Sequence, residues 1–172
     1  TYGLCEDPEV IGSKFFVMSM ADGRSLWNGA LPGCTRDERR GIYNALIDTM
    51  ADLHLNDPGA IGLGDYGKPT DYCARQIARW SKQYKLSETE HMPQMERLSE
   101  WLPETLPPQH ESSVVHGDYR LDNVIFHKTE DRIIGVLDWE LSTLGDPIAD
   151  FSYLMLNWHN PADGRAGLLG LD

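Results

Sequence analysis

His116-Gly117-Asp118-Tyr119-Arg120-Leu121-Asp122-Asn123, followed fifteen residues later by Asp138-Trp139-Glu140, decides how this chain is read. The apolar pair Val114-Val115 leads into the first segment and Val124-Ile125-Phe126 leads out of it. A second apolar run, Ile133 to Leu137, delivers Asp138. Short apolar runs bounded by polar turns read as strands. The pattern is therefore strand, loop, strand, turn, strand, with carboxylates and one amide gathered at the strand ends.

His-x-Asp-x-x-x-x-Asn ahead of a second Asp is the layout of a phosphoryl-transfer catalytic loop and its metal acid. Such chemistry asks the protein mainly to position reactants and offset charge. One carboxylate must face the attacking hydroxyl and accept its proton, and Asp118 holds that position. Two oxygen ligands must hold Mg²⁺ against nucleotide phosphates; a hard cation prefers carboxylate and amide oxygen, which Asn123 and Asp138 supply. The step from Asp118 to Asn123 is long enough for a loop that turns both side chains to one cleft. His116 reads as a scaffold that hydrogen-bonds the loop backbone rather than as a proton carrier. Arg120 could reach the transferring phosphoryl, with a surface cation as the alternative.

Val115 to Asn123, taken with Val136 to Pro147, resembles the aminoglycoside phosphotransferase and choline kinase superfamily, whose members share the protein-kinase fold. More narrowly it is similar to the phosphotransferase domain joined to some acyl-CoA dehydrogenases, and to stand-alone bacterial relatives of that domain. Arg75 to Trp80, and Cys5-Glu6-Asp7 with Val17-Met18, add to the likeness, which covers nearly the whole chain. The resemblance implies Asp118 as catalytic base, with Asn123 and Asp138 as magnesium ligands and ATP as co-substrate. It implies a hinge at Met20, Ala21 and Asp22 whose backbone hydrogen-bonds the adenine. The acceptor it implies is a small-molecule hydroxyl, on a hydroxyacyl-CoA or related hydroxy acid derivative; an aminoglycoside or choline-type substrate is the alternative. Glu140 could bind the metal through water or be structural. Asp146 reads as a helix N-cap before Pro147, and Asp150 as a brace for the catalytic loop.

The fold class expected is α+β: a protein-kinase-like C-terminal lobe, mostly helical with short catalytic strands, over residues 23–172. Residues 1–22 then form the last strand of an N-terminal lobe, Phe15 to Met20, and the hinge around Met20 to Gly23. A phosphate-covering loop and a strand lysine that grips nucleotide phosphates belong to the complete pattern. Neither is found upstream, so an N-lobe is expected in the full-length protein and little activity in the chain alone. Gly164 to Asp172 suggests that C-terminal helices are missing as well. Gly62-Leu63-Gly64-Asp65-Tyr66-Gly67-Lys68 invites a phosphate role, but a phosphate loop follows a strand and opens directly into a helix. This segment lies between two helical patterns and precedes Pro69, so it reads as a solvated inter-helix loop.

Thr35 and Glu38 form a capping-box signature, and Ile42, Leu46, Met50 and Leu53 then recur on one face of a helix running to about Leu55. A second helix is expected over Asp71 to Lys85 with Ile77, Trp80 and Tyr84 inward. A third, Pro93 to Leu102, turns Met95, Leu98 and Trp101 inward and stops at Pro103. Ile148 to Trp158 forms the last. His54 reads as a core or capping residue, and His127 as a strand-end residue pointing to solvent.

At 172 residues the chain suits one domain, and its 41% hydrophobic and 24% charged content is that of a globular protein. No apolar run is long enough to cross a membrane and no signal-like start is present. Cys5, Cys34 and Cys73 lack metal-type spacing and read as free thiols in a reducing, cytoplasmic compartment. A net charge of −12 argues against nucleic acid as partner. The same charge would suit a cationic substrate, or simply solubility. Arg36-Arg39-Arg40 and Arg75-Arg79-Lys82-Lys85 could face an anionic group such as coenzyme A, although solvated helix faces explain them more simply. Two other classes stay open: an inactive kinase-like binding module, and a metallohydrolase using His116, Asp118, Asp138 and His127. Asn123 is a poor transition-metal ligand, which disfavours the second.

Overall fold

Thr35 starts helix α1 (Arg36–His54) as the capping box predicts, in a computed structural model that describes residues 1–162 and 167–171. The Glu38 amide donates to the Thr35 hydroxyl at 3.3 Å, and the Thr35 amide donates to the Glu38 carboxylate at 2.7 Å. Two otherwise unpaired donors are thereby satisfied. Ile42, Leu46 and Met50 form the buried stripe of α1, packed with Tyr119, Leu121, Val124, Phe126 and Leu154. The core thus lies between α1 and the His116–Asn123 loop with its strands. Tyr119 is wholly buried, and its hydroxyl donates to the Leu46 carbonyl at 2.8 Å. A buried phenol needs such a partner, and this one ties the loop to α1.

Three two-stranded antiparallel sheets accompany the helices. Strand β1 (Gly3–Cys5) pairs with β2 (Phe15–Val17). Strand β3 (Ser113–Val115) pairs with β6 (Thr143–Gly145), and β4 (Val124–Phe126) pairs with β5 (Ile133–Val136). Strand β2 stops at Val17, short of the expected Met20, and Phe16 and Met18 are exposed. Strand β6 was not expected, because three residues ending in glycine carry no strand signal. It sets Val115 opposite Thr143. This pairing folds the segment after Asp138 back beside the loop that β3 introduces. Gly23 and Arg24 run along β4: Arg24 and Phe126 exchange backbone hydrogen bonds at 2.8 and 2.9 Å. A Cβ on Gly23 would lie 2.2 Å from the Phe126 carbonyl, so only glycine permits this approach.

Helices α2 (Tyr72–Ser87) and α3 (Pro93–Glu104) form a hairpin. Pro103 does not stop α3; it removes one intrahelical donor, and the helix ends one residue later. Trp80, Leu98 and Trp101, expected in the core, are 49%, 43% and 57% exposed. Helical periodicity found the correct face, but the hairpin packs chiefly on itself and leaves an open cavity along that face. Helix α4 (Pro147–Met155) is capped by Asp146, whose carboxylate accepts from the Ile148 amide at 3.0 Å. Its expected continuation to Trp158 tightens into a 3-10 turn over Leu156–Trp158. The reading of Gly164 to Asp172 falls partly on residues outside those described. Among the described residues no helix is long and apolar enough to cross a membrane, and Cys5, Cys34 and Cys73 are free.

Candidate active site

Gly117 opens the His116–Asn123 loop at φ +85, in the left-handed region, and a Cβ there would lie 2.7 Å from the Leu141 carbonyl. Buried Asp150, on α4, holds this bend. Its carboxylate accepts from the His116 amide at 2.6 Å and the Gly117 amide at 2.8 Å, and lies 3.1 Å from His54 Nε2. Asp150 therefore braces the loop, and His54 is a half-buried partner of that brace. The His116 ring spends both nitrogens on backbone. Its Nε2 lies 2.8 Å from the Leu137 carbonyl, and its Nδ1 accepts from the Asp118 amide at 3.2 Å. That pair of partners selects the neutral tautomer with the proton on Nε2. The ring also lies 4.8 Å from the Trp139 ring. His127 lies at the end of β4, partly exposed, and its Nδ1 accepts from the Glu130 amide at 3.3 Å, which closes its own turn. The His116 imidazole has no nitrogen left for a metal, His127 keeps only its Nε2 uncommitted, and among the described residues no three His, Cys, Asp or Glu side chains gather as a metal site does.

Asp118 and Asn123 meet directly. The Asn123 Nδ2 donates to the Asp118 backbone and side-chain oxygens, each at 2.9 Å. Its Oδ1 makes no hydrogen bond among the described residues. The Leu137 amide donates to the Asn123 carbonyl at 2.8 Å, continuing the Val124–Val136 pairing. Asp138 therefore emerges beside Asn123. Its backbone is left-handed (φ 65, ψ 55), and its exposed carboxylate makes no hydrogen bond or ion pair among the described residues. An amide oxygen and a free carboxylate at adjoining strand ends fit a hard divalent cation. Arg120 lies across this patch, 3.6 Å from the Asp118 carboxylate and 2.9 Å from that of Asp122. Tyr153, which sequence reasoning missed, faces Asp118 and Arg120; burial, then the Asp118 carboxylate, push its phenol pKa up. Its spacing of three from Asp150 on one helix face could have pointed to it.

The other predicted nucleotide contacts lie apart from this cluster. Met20 is exposed, Ala21 lies against Gly135 of β5, and Asp22 forms an ion pair with Lys128. No hydrogen bond or ion pair among the described residues links these three to Asp118. They adjoin the two strands whose far ends carry Asn123 and Asp138. Beside Gly117, a cavity of about 440 Å³ opens between α2, α3 and α4. Ile77, Trp80, Trp101, Leu102, Leu141 and Tyr153 line it. The Arg79 guanidinium, also at its wall, stacks 5.2 Å from the Trp80 ring.

Comparisons with known proteins identify the family and the fold. The phosphotransferase enzyme family matches residues 1–170. Acyl-CoA dehydrogenase family member 10 of mouse is 45% identical over 92% of the chain, and family member 11 of human is 42% identical over 91%. The chain spans only 15% and 20% of those two proteins. A solved Ralstonia eutropha JMP134 protein, described as a candidate aminoglycoside phosphotransferase, superposes with a TM-score of 0.91 at 53% identity. That match covers 99% of this chain and 53% of the other. An aminoglycoside-3′-phosphotransferase of type VIII shares the fold at a TM-score of 0.62 and 20% identity, over 84% of this chain and 54% of its own. The small antiparallel sheets and packed helices are those of the protein-kinase-like fold these enzymes use. This chain belongs to the phosphotransferase enzyme family.

Proposed function

We propose that this chain carries the catalytic lobe of an ATP-dependent phosphotransferase acting on a hydroxyl group of a small molecule. The observation that carries the proposal is the pair of hydrogen bonds that Asn123 Nδ2 donates to Asp118, made while the Asn123 carbonyl accepts from the Leu137 amide. Base, amide and second acid thereby share one patch. Asp118 orients the acceptor hydroxyl and takes its proton as the new oxygen–phosphorus bond forms and the bond to the ADP oxygen breaks. Arg120 leaves Asp118 and Asp122 to offset charge on the transferring group. Asn123 Oδ1 and the Asp138 carboxylate would hold Mg²⁺, which when bound neutralises charge on the nucleotide phosphates. The backbone at Met20, Ala21 and Asp22 receives the adenine. Residues 1–22 serve as the end of an N-terminal lobe and hinge, and residues 23–172 as the larger lobe of a cytoplasmic enzyme.

The acceptor is a hydroxyacyl-CoA or related hydroxy acid derivative. Indole and aliphatic walls in the cavity beside Gly117 suit an acyl chain better than a polycation. Relatives named as acyl-CoA dehydrogenase family members support the same choice. The test is ATP consumption by the full-length protein across hydroxyacyl-CoA, free hydroxy acids, aminoglycosides and choline. Turnover with the first two classes supports the proposal; turnover with aminoglycoside or choline alone replaces the acceptor, and none with any compound removes the activity.

A further inference from the structure

The Gly62–Lys68 loop, which the sequence left without a role, lies against the segment that follows Asp138. Three contacts hold it there. The Tyr66 hydroxyl meets Ser142 Oγ at 2.5 Å. Gly67 approaches so closely that a Cβ would lie 2.1 Å from Thr143 Oγ1 and 3.0 Å from the Leu144 amide. One Arg75 nitrogen donates to the Lys68 carbonyl at 2.8 Å and to the Leu144 carbonyl at 3.4 Å, joining both segments.

From Ser142 the chain of bonds runs inward. Its amide and its hydroxyl both donate to the Trp139 carbonyl, at 3.0 and 2.5 Å. Because that hydroxyl proton is committed, Tyr66 must be the donor to Ser142 Oγ. Asp138, next to Trp139, is one of the non-glycine residues with positive φ. Such a backbone persists only where its surroundings over-determine it. On its N-terminal side, Leu137 is pinned by Asn123 and His116. On its C-terminal side Trp139 is held by its own indole, which donates to the Val136 carbonyl at 2.9 Å, and by the Trp139–Ser142 turn, of which Tyr66 is the outer end.

We propose that Tyr66 is a positioning residue for Asp138, acting through Ser142 to fix the turn that presents the Asp138 carboxylate. The inference rests on Asp138 being the metal acid. Its test is the Mg²⁺ concentration giving half-maximal ATP-dependent turnover in the full-length protein, with Mn²⁺ binding followed by electron paramagnetic resonance in parallel. Tyr66→Phe should raise both values roughly threefold, the scale of one hydrogen bond, and Ser142→Ala, which breaks two, at least as much. Thermal midpoint and nucleotide KM at saturating Mg²⁺ should hardly change. The double variant should lose no more than Ser142→Ala alone, which already breaks both bonds of the chain. Ser142→Thr, which restores a hydroxyl, should recover the original metal dependence and keeps the test decisive if Tyr66→Phe folds poorly. Unchanged metal dependence in both Tyr66→Phe and Ser142→Ala overturns the proposal, as does full additivity in the double variant. Asp138→Asn separates the two levels: if it also leaves metal dependence unchanged, the assignment of Asp138 fails rather than the role of Tyr66.

Discussion

Asp150→Asn should cost about 3 kcal/mol of stability, a figure that follows from the three donors around one carboxylate. Oδ2 faces the His116 amide and His54 Nε2, and Oδ1 faces the Gly117 amide. An asparagine can place its oxygen at only one of these sites. With the oxygen at the doubly bonded site, its NH₂ group confronts the Gly117 N–H, donor against donor. That amide is then orphaned at about 1–3 kcal/mol, and the two surviving bonds lose charge assistance worth roughly half their strength. A loss of about 3 kcal/mol lowers the folded-to-unfolded ratio on the order of a hundredfold. Urea unfolding followed by circular dichroism measures it, with an unchanged m-value showing that stability alone has moved. Asp48→Asn, at an exposed position on α1, serves as the control and should stay within about 0.5 kcal/mol. A loss below about 1 kcal/mol for Asp150→Asn would refute the brace, because three real bonds to a buried carboxylate cannot be broken so cheaply.

Two further outcomes follow from burial. Trp101→Ala should cost under about 1.5 kcal/mol in urea unfolding, well short of the 3–5 typical of a core tryptophan, while raising acceptor KM more than ATP KM in the full-length enzyme. A core-sized stability loss would contradict the cavity-wall placement. Burial raises the phenol pKa of Tyr43 and of Tyr72 to about 12, and that of Tyr119 further still. The unfolded chain ionises these groups nearer pH 10. Stability should therefore be intact below pH 10 and fall as pH rises through 10 to 12. Urea midpoints taken alongside tyrosinate absorbance check this, and a flat profile across that window would contradict it.

Much of this architecture was legible because local signals agreed with tertiary packing. Thr35 and Glu38 announced α1, and the spacing of Ile42, Leu46 and Met50 identified the stripe it buries. Asp146 before Pro147 announced α4. The likeness of His116 to Asn123 to a catalytic loop carried the expectation that Asp118 and Asn123 share a cleft, and they do share one hydrogen-bonded patch. Illegible features depended on partners distant in sequence. Strand β6 exists because Thr143 to Gly145 finds β3, not because three residues prefer extension. Trp80 and Trp101 obey helical periodicity, yet periodicity gives only the direction of a face and not whether anything covers it. Tyr153 required α4 to deliver its face to Asp118. Tyr66 required knowledge that its loop reaches Ser142, 76 residues away.

The most direct measurement is phosphoryl transfer by the full-length protein and its Asp118→Ala variant, with ATP affinity measured on both. Placing Asp118 against the acceptor hydroxyl predicts that transfer is abolished while nucleotide binding is retained. Turnover that survives the substitution would contradict the account at its centre, since the proton would then have another destination.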